Sequence, residues 1–399
     1  MSPRMQIIIL FFSLLVTSGC ATLPRNAIPV DKINMAEVPG LLGVRAWAGE
    51  LSETFQADLQ LSLSQEKDEF LADTKDVYQY HVLALSGGGP NGAFGAGVLY
   101  GWTQSGNRPR FKLVTGISTG ALIAPFAFLG PDYDRQLKNF FTRVNTSDII
   151  EKLNLLKFLS SPESFAKADP LKQLLKEAIT EDLLRAIADK HNRGYRFYVG
   201  TTHLDAQRLM IWNMGLIANS DSPNALELFR DIMLASSSIP AILPPVLIEV
   251  EANGKQYDEM HVDGGTSVQV FYYRNTVNMR ALSHPKFNGR SPETALYIIR
   301  NGKISGNPAQ TPRKLKDITR RAMSKMIKAT ARGDLYRLYA VTQRDNIDYY
   351  YISIPDDYQG NTNEAFDMEE MQRIFDLGYE LGLSGNAWRR TPPGLFEEG

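Results

Sequence analysis

Tyr80-His81-Val82-Leu83-Ala84-Leu85-Ser86-Gly87-Gly88-Gly89-Pro90-Asn91-Gly92 decides the fold. His81–Leu85 is a short run of buried-strand type, the glycines turn the chain, and Ala93–Thr103 reads as a helix. The pattern repeats at once: Phe111–Thr115 is a second strand ending in Gly116, and Thr119–Phe128 a second helix. Two such units in close succession specify a sheet covered by helices, an α/β fold. Downstream, Tyr195–Thr201, Arg208–Trp212, Val246–Val250, Ala295–Arg300 and Asp348–Ile354 read as strands, and Lys314–Ala331 and Met368–Leu381 as helices. The alternation predicts one domain over residues 76–383.

Of the 399 residues, 43% are hydrophobic and 22% charged, the balance of a globular protein with a sizeable core. A formal net charge of −1 provides no basic field for nucleic acid, which excludes that class of partner. The single cysteine, Cys20, is more telling. Arg4 precedes the mostly apolar Ile7–Val16, too short to span a bilayer, and Thr17-Ser18-Gly19 leads into the cysteine. Residues 1–19 thus resemble a bacterial lipoprotein signal. The resemblance implies that Cys20 is lipidated and holds the protein on the non-cytoplasmic side of a bacterial membrane. Ala21, where an Asp often retains such proteins at the inner membrane, points to the outer one. Residues 20–75, with Pro24, Pro29, Pro39 and a polar run from Ser62 to Lys75, read as a tether and an arm, part of Glu53–Leu71 being helical. Residues 384–399 read as a loose tail. No cysteine follows Cys20, so the mature body has no disulfide.

Glycines at the first strand-to-helix junction let successive N–H groups face an anion above a helix N-terminus. Either a dinucleotide pyrophosphate or an acyl-transfer oxyanion would suit them. The dinucleotide reading needs an acidic residue about twenty positions on, and no Asp or Glu occurs between Gly92 and Pro131. At the end of the second strand stands Gly116-Ile117-Ser118-Thr119-Gly120 instead, a GxSxG elbow that exposes Ser118 above the sheet.

A serine nucleophile needs a base. The five histidines give no recognisable one: His81 enters a strand, His191 lies in a polar turn, His203 at a strand end, and His284 in a loop before Pro285. His261, in His261-Val262-Asp263-Gly264-Gly265, shares a strand face with Asp263 and reads foremost as a strand histidine satisfied locally.

Three blocks in order, Gly87–Gly92, Gly116–Gly120 and Asp263-Gly264-Gly265, resemble the patatin-like phospholipases. Ala235-Ser236-Ser237-Ser238-Ile239-Pro240 also resembles the stretch these proteins carry before their aspartate. The similarity covers residues 80–301 and implies a three-layer α/β/α fold around a central mixed, mostly parallel sheet. It further implies Ser118 as nucleophile and Asp263 as its base, with no histidine. The N–H groups of Gly87, Gly88 and Gly89 would form the oxyanion hole, and Gly92, Gly116, Gly120, Gly264 and Gly265 complete the motifs. Asn91 stands where the family loop often has Arg. The implied activity is hydrolysis of a phospholipid or another acyl ester through an acyl-enzyme, with no metal and no cofactor.

An ordinary carboxyl pKa of about 3.9 makes a poor base, so a desolvated site has to supply the acceleration. Without an imidazole, the rate should not collapse as a group titrates near pH of about 6.5. The competing readings are a Ser-Asp-His carboxylesterase, for which chain order leaves only His284, and a non-catalytic lipid-binding lipoprotein. Finally, Arg313–Arg337 holds nine Lys or Arg against two Asp, with Leu315, Ile318, Ala322, Met326 and Ala329 at helical spacing. It reads as a surface helix with one core-facing stripe in preference to a basic helix resting on anionic lipid.

Overall fold

The computed structural model describes residues 23–71, 77–149, 151–152, 163–164, 166–272, 287, 292–306, 308–360 and 366–395. The signal segment, Cys20 and His284 lie outside them. Among the described residues nine strands form the main sheet: β1 (Arg45–Trp47), β2 (Gln79–Leu85), β3 (Phe111–Ile117), β4 (Arg196–His203), β5 (Arg208–Asn213), β6 (Val246–Ala252), β7 (Lys255–Asp263), β8 (Glu293–Arg300) and β9 (Asp348–Ser353). Their order is β1-β5-β4-β3-β2-β8-β9, the last five running parallel. The β6–β7 hairpin joins β4 antiparallel through β7.

The longer helices are α1 (Glu53–Gln65), α2 (Gly92–Gln104), α3 (Thr119–Leu129), α4 (Asp134–Thr142), α5 (Asp169–Ala178), α6 (Glu181–Asn192), α7 (Ala225–Ser237), α8 (Leu315–Arg344) and α9 (Met368–Ser384). Side-chain alternation splits the core between two layers. Leu83, Leu85 and Val114 belong to one cluster with residues of α2, α3, α7 and α9, while Val82, Ala84 and Leu113 belong to another with Phe55 and Leu59 of α1 and Leu335 and Leu338 of α8. A strand apolar on both faces belongs inside such a sandwich, and the result is the expected α/β/α arrangement. Each strand and helix read from the alternation is present, and the largest departure is α8, which runs on to Arg344.

α2 is glycine-rich for a packing reason. A Cβ on Gly97 or Gly101 would stand 2.0 Å from a carbonyl oxygen of α9, and one on Gly378 or Gly382 would stand 2.2 Å from a carbonyl of α2. The two helices therefore cross backbone to backbone, which fixes the N-terminus of α2 beside the glycine loop.

Two expectations need correcting. From Leu23 onward the supposed tether is part of the domain. Arg25 pairs with Asp205 and Asp258 at 2.8 Å each, Ile28, Ile33 and Ala36 bury against Val250 and Ala252, and β1 extends the sheet beside β5. Acidic residues of this arm, two of them in the polar run, are spent on buried partners. Asp58 of α1 holds Arg196 at 2.7 Å, Glu66 pairs with Lys112, and Glu69 accepts from Tyr195. Breaking one such buried pair costs roughly 3–5 kcal/mol. The described part of the tail, to Leu395, is not loose either: Arg389 exchanges two backbone hydrogen bonds with Tyr351, capping the edge of β9, and Trp388 packs on Trp102.

Candidate active site

The sheet register brings Ser118 and Asp263 together. β3 runs beside β4 until Ile117 faces Gly200, and β7 takes over the same lane from the opposite direction, with Asp263 facing Thr201. The end of one strand meets the end of the other. Ser118 follows with φ 54° and ψ −127°, a left-handed backbone that lifts its side chain at the start of α3. Gly116 and Gly120 are required there, because a Cβ on either would meet backbone atoms at 2.6 and 2.3 Å. Ser118 Oγ donates to Asp263 Oδ2 at 2.7 Å.

The serine run before β7 reaches both partners. Ser118 N–H donates to Ser236 Oγ at 3.0 Å, Ser236 Oγ donates in turn to Gly200 O at 2.8 Å, and Asp263 N–H donates to Ser238 O at 2.9 Å. Ser236 and Ser238 are thus positioning residues. The resemblance marked their stretch without assigning them a contact.

The side chains of Ser118 and Asp263 are both buried. Burial pushes the Asp263 carboxyl up from 3.8 to about 7, against the opposing hydrogen bonds from Ser118 and the Gly265 N–H. A carboxylate with that pKa is a far better base at neutral pH than an ordinary one. It also places a group that titrates near neutral pH beside Ser118 with no imidazole involved, where the sequence led us to expect none.

In the glycine loop, Gly87 N–H donates to Gln269 O at 3.0 Å, so it is not free for an oxyanion. Of the three expected donors, Gly88 and Gly89 remain, Gly89 with φ 57°. The loop is held from beneath by residues that local reading missed. Arg300, fully buried at the end of β8, donates to Gly87 O at 2.6 Å and to Ser86 Oγ at 3.1 Å, and Asn301 Nδ2 donates to Ser86 O at 2.7 Å. Burial lowers the Arg300 guanidinium to about 10, Asp334 opposing. The signal in the sequence was a charged residue ending an otherwise apolar strand run. Where the family loop often has Arg, Asn91 makes no side-chain capping bond, and the guanidinium beside this loop comes from β8.

Among the described residues no histidine nitrogen is hydrogen-bonded to Ser118 or Asp263. His191 lies in α6, not in a turn, and desolvation lowers its pKa to about 3; His261 contacts Thr201 Oγ1 at 2.9 Å and Glu259 at 3.2 Å, and burial lowers it to about 4. His203, Glu259 and His261 come together from β4 and β7 as a three-ligand cluster that chain spacing did not reveal. Arg45 already forks onto Glu259, placing a guanidinium beside the cluster's only carboxylate, which disfavours a metal ion there. Replacing each of the five histidines by Ala in turn is expected to leave substantial ester hydrolysis in every variant that circular dichroism shows folded. Lost catalysis in a folded His284→Ala protein would move the assignment to the triad esterase.

A family model described as patatin-like phospholipase matches residues 83–279. No curated protein matches the chain. Among solved structures, it is similar to VipD from Legionella pneumophila (12% identity, 78% of this chain and 67% of that one, TM-score 0.37). It is also similar to the type III effector protein ExoU (12% identity, 77% and 52%, TM-score 0.31) and to human GIVD cytosolic phospholipase A2 (10% identity, 71% and 51%, TM-score 0.33). The chain spans about half the length of the latter two.

Proposed function

We propose that the chain, whose residues 83–279 match the patatin-like phospholipase family, hydrolyses lipid acyl esters with Ser118 as nucleophile and Asp263 as general base. The 2.7 Å contact between Ser118 Oγ and a buried Asp263 carboxylate is the observation that carries this reading. As Ser118 Oγ attacks the acyl carbonyl carbon, its proton passes to Asp263 Oδ2. The tetrahedral oxyanion accepts from the Gly88 and Gly89 N–H groups, with the N-terminus of α3 adding positive potential. Collapse breaks the ester bond, and Asp263 returns its proton to the departing alcohol. Water then attacks the acyl-Ser118 carbonyl, Asp263 taking its proton, and the fatty acid leaves as Ser118 is reprotonated. Arg300 and Asn301 act as positioning residues that hold the glycine loop. Fatty-acid release from mixed membrane lipids, with the products identified by mass spectrometry, tests the reading. A folded enzyme that frees no acyl chain from any ester would overturn it.

Cys20 we place on the membrane as a lipid anchor. More than one acyl chain is needed for stable anchoring, at about 0.8 kcal/mol per buried methylene. The docking of Arg25 changes what the anchor does: five residues of extended chain span at most about 18 Å, so the domain would sit close against its own bilayer and not reach out on a long tether. Wild type is expected in the membrane fraction with a lipid-shifted N-terminal mass, and Cys20→Ser in the soluble fraction. Soluble wild type with an unmodified Cys20 would refute the anchor.

A further inference from the structure

α8 has two unlike halves. From Ala331 to Arg344 it packs on the sheet through Leu335 and Leu338. From Leu315 to Thr330 it stands away from the domain, and the stripe expected to face the core does not: Leu315 is 83% exposed, Ile318 51% and Met326 67%. At about 100° per residue, Leu315, Ile318, Ala322, Met326 and Ala329 share an arc of about 80°. Met323 and Ile327, also exposed, widen it on one side. Arg320, Lys328 and Arg321 lie across from the stripe, and Lys325 flanks its edge beside Ile318. From Arg313 to Gly333 the chain carries eight Lys or Arg and one acid, Asp317.

The packed half is tied to the candidate site. Asp334 Oδ2 accepts from the N–H groups of Gln269 and Val270, and the Gln269 carbonyl is the one that holds the Gly87 N–H. Lys328, nearly two turns earlier, lies close enough to Arg300 and Lys303 to feel their charge. The projecting half therefore rises beside the loop that borders Ser118.

We propose that Leu315–Thr330 is a docking helix for an anionic lipid bilayer, its apolar stripe entering the acyl boundary and its basic flank meeting the acidic head groups. Charge decides the occupant. A second copy of this chain would bring the same positive helix against itself, whereas an anionic surface complements it, each Lys or Arg near such a surface adding attraction that salt screens. No described helix is long and apolar enough to cross a membrane, so the contact is lateral. The inference deepens the lipid-hydrolase reading by giving that site its surface, and vesicle binding tests it separately from catalysis.

The experiment uses the full chain carrying Cys20→Ser, which removes covalent lipid as a variable. It is mixed with phosphatidylcholine vesicles with or without phosphatidylglycerol. Partition should require phosphatidylglycerol and weaken with salt. Arg320→Glu with Lys325→Glu, and separately Ile318→Ser with Met326→Ser, should each weaken it by about tenfold or more. Hydrolysis of vesicle phospholipid should fall in step, while hydrolysis of a monomeric short-chain ester stays unchanged. Charge-dependent partition by a protein inactive on both substrates would uphold the helix and remove the hydrolase reading. Variants that partition like the parent would overturn the proposal. So would parent protein that binds both vesicle types equally, or light scattering that shows a dimer dissolved by Ile318→Ser with Met326→Ser.

Discussion

Ser118→Ala and Asp263→Asn are each expected to lower kcat for ester hydrolysis by roughly 10³-fold or more, and the double variant by little beyond either single one. In the proposed mechanism the two groups act as a unit, so removing one leaves the other nothing to do. Asparagine at 263 can keep its oxygen on the Gly265 N–H, which donates to Asp263 Oδ1 at 2.6 Å in the native protein, and stay beside Ser118. It cannot take the proton. Near-native kcat in Asp263→Asn would mean that some other group activates the serine.

The second large effect concerns pH and runs in opposite directions for activity and stability. As the proposed base Asp263 has to be ionised, so kcat/KM should fall on the acid side with an apparent pKa of about 7. Desolvation raises the folded-state pKa above the unfolded value, so between pH 3.8 and about 7 the native protein binds more protons than the unfolded chain. This contribution is most favourable below the unfolded pKa and is lost as pH rises through the folded one. The upper bound of the loss is roughly 4 kcal/mol. Asp263→Asn, neutral throughout, should therefore melt above wild type in alkaline buffer and lose that advantage in acid. Melting curves across pH check the sign, and a variant less stable than wild type at every pH would contradict it. An activity limb that persists in all five histidine variants assigns the titration to the carboxylate.

Features that depend on neighbouring residues were legible in the sequence. The parallel core was readable because apolar strands with glycine junctions are local, and so was the elbow, where Gly116 and Gly120 flank Ser118. Contacts set by pairing distant strands were not. That Asp263 faces Ser118 follows from β7 sharing a lane with β3, and that Arg300 underpins the glycine loop follows from β8 lying beside β2. The same limit explains the N-terminal arm. Prolines and a charged run suggested a tether, but Asp58, Glu66 and Glu69 each have a partner more than ten residues away that composition does not reveal. In α8 the helical spacing was read correctly and its exposure was not, because periodicity shows that a stripe exists and not what covers it.

Ser118 is proposed as the nucleophile and Asp263 as its activator. Treatment of wild type with a fluorophosphonate, followed by peptide mapping, tests it most directly. A single adduct on Ser118 is expected, greatly slowed in Asp263→Asn, with an acid limb in the labelling rate near the Asp263 pKa of about 7. An adduct on another residue, or labelling of Ser118 at the same rate in Asp263→Asn, would contradict it.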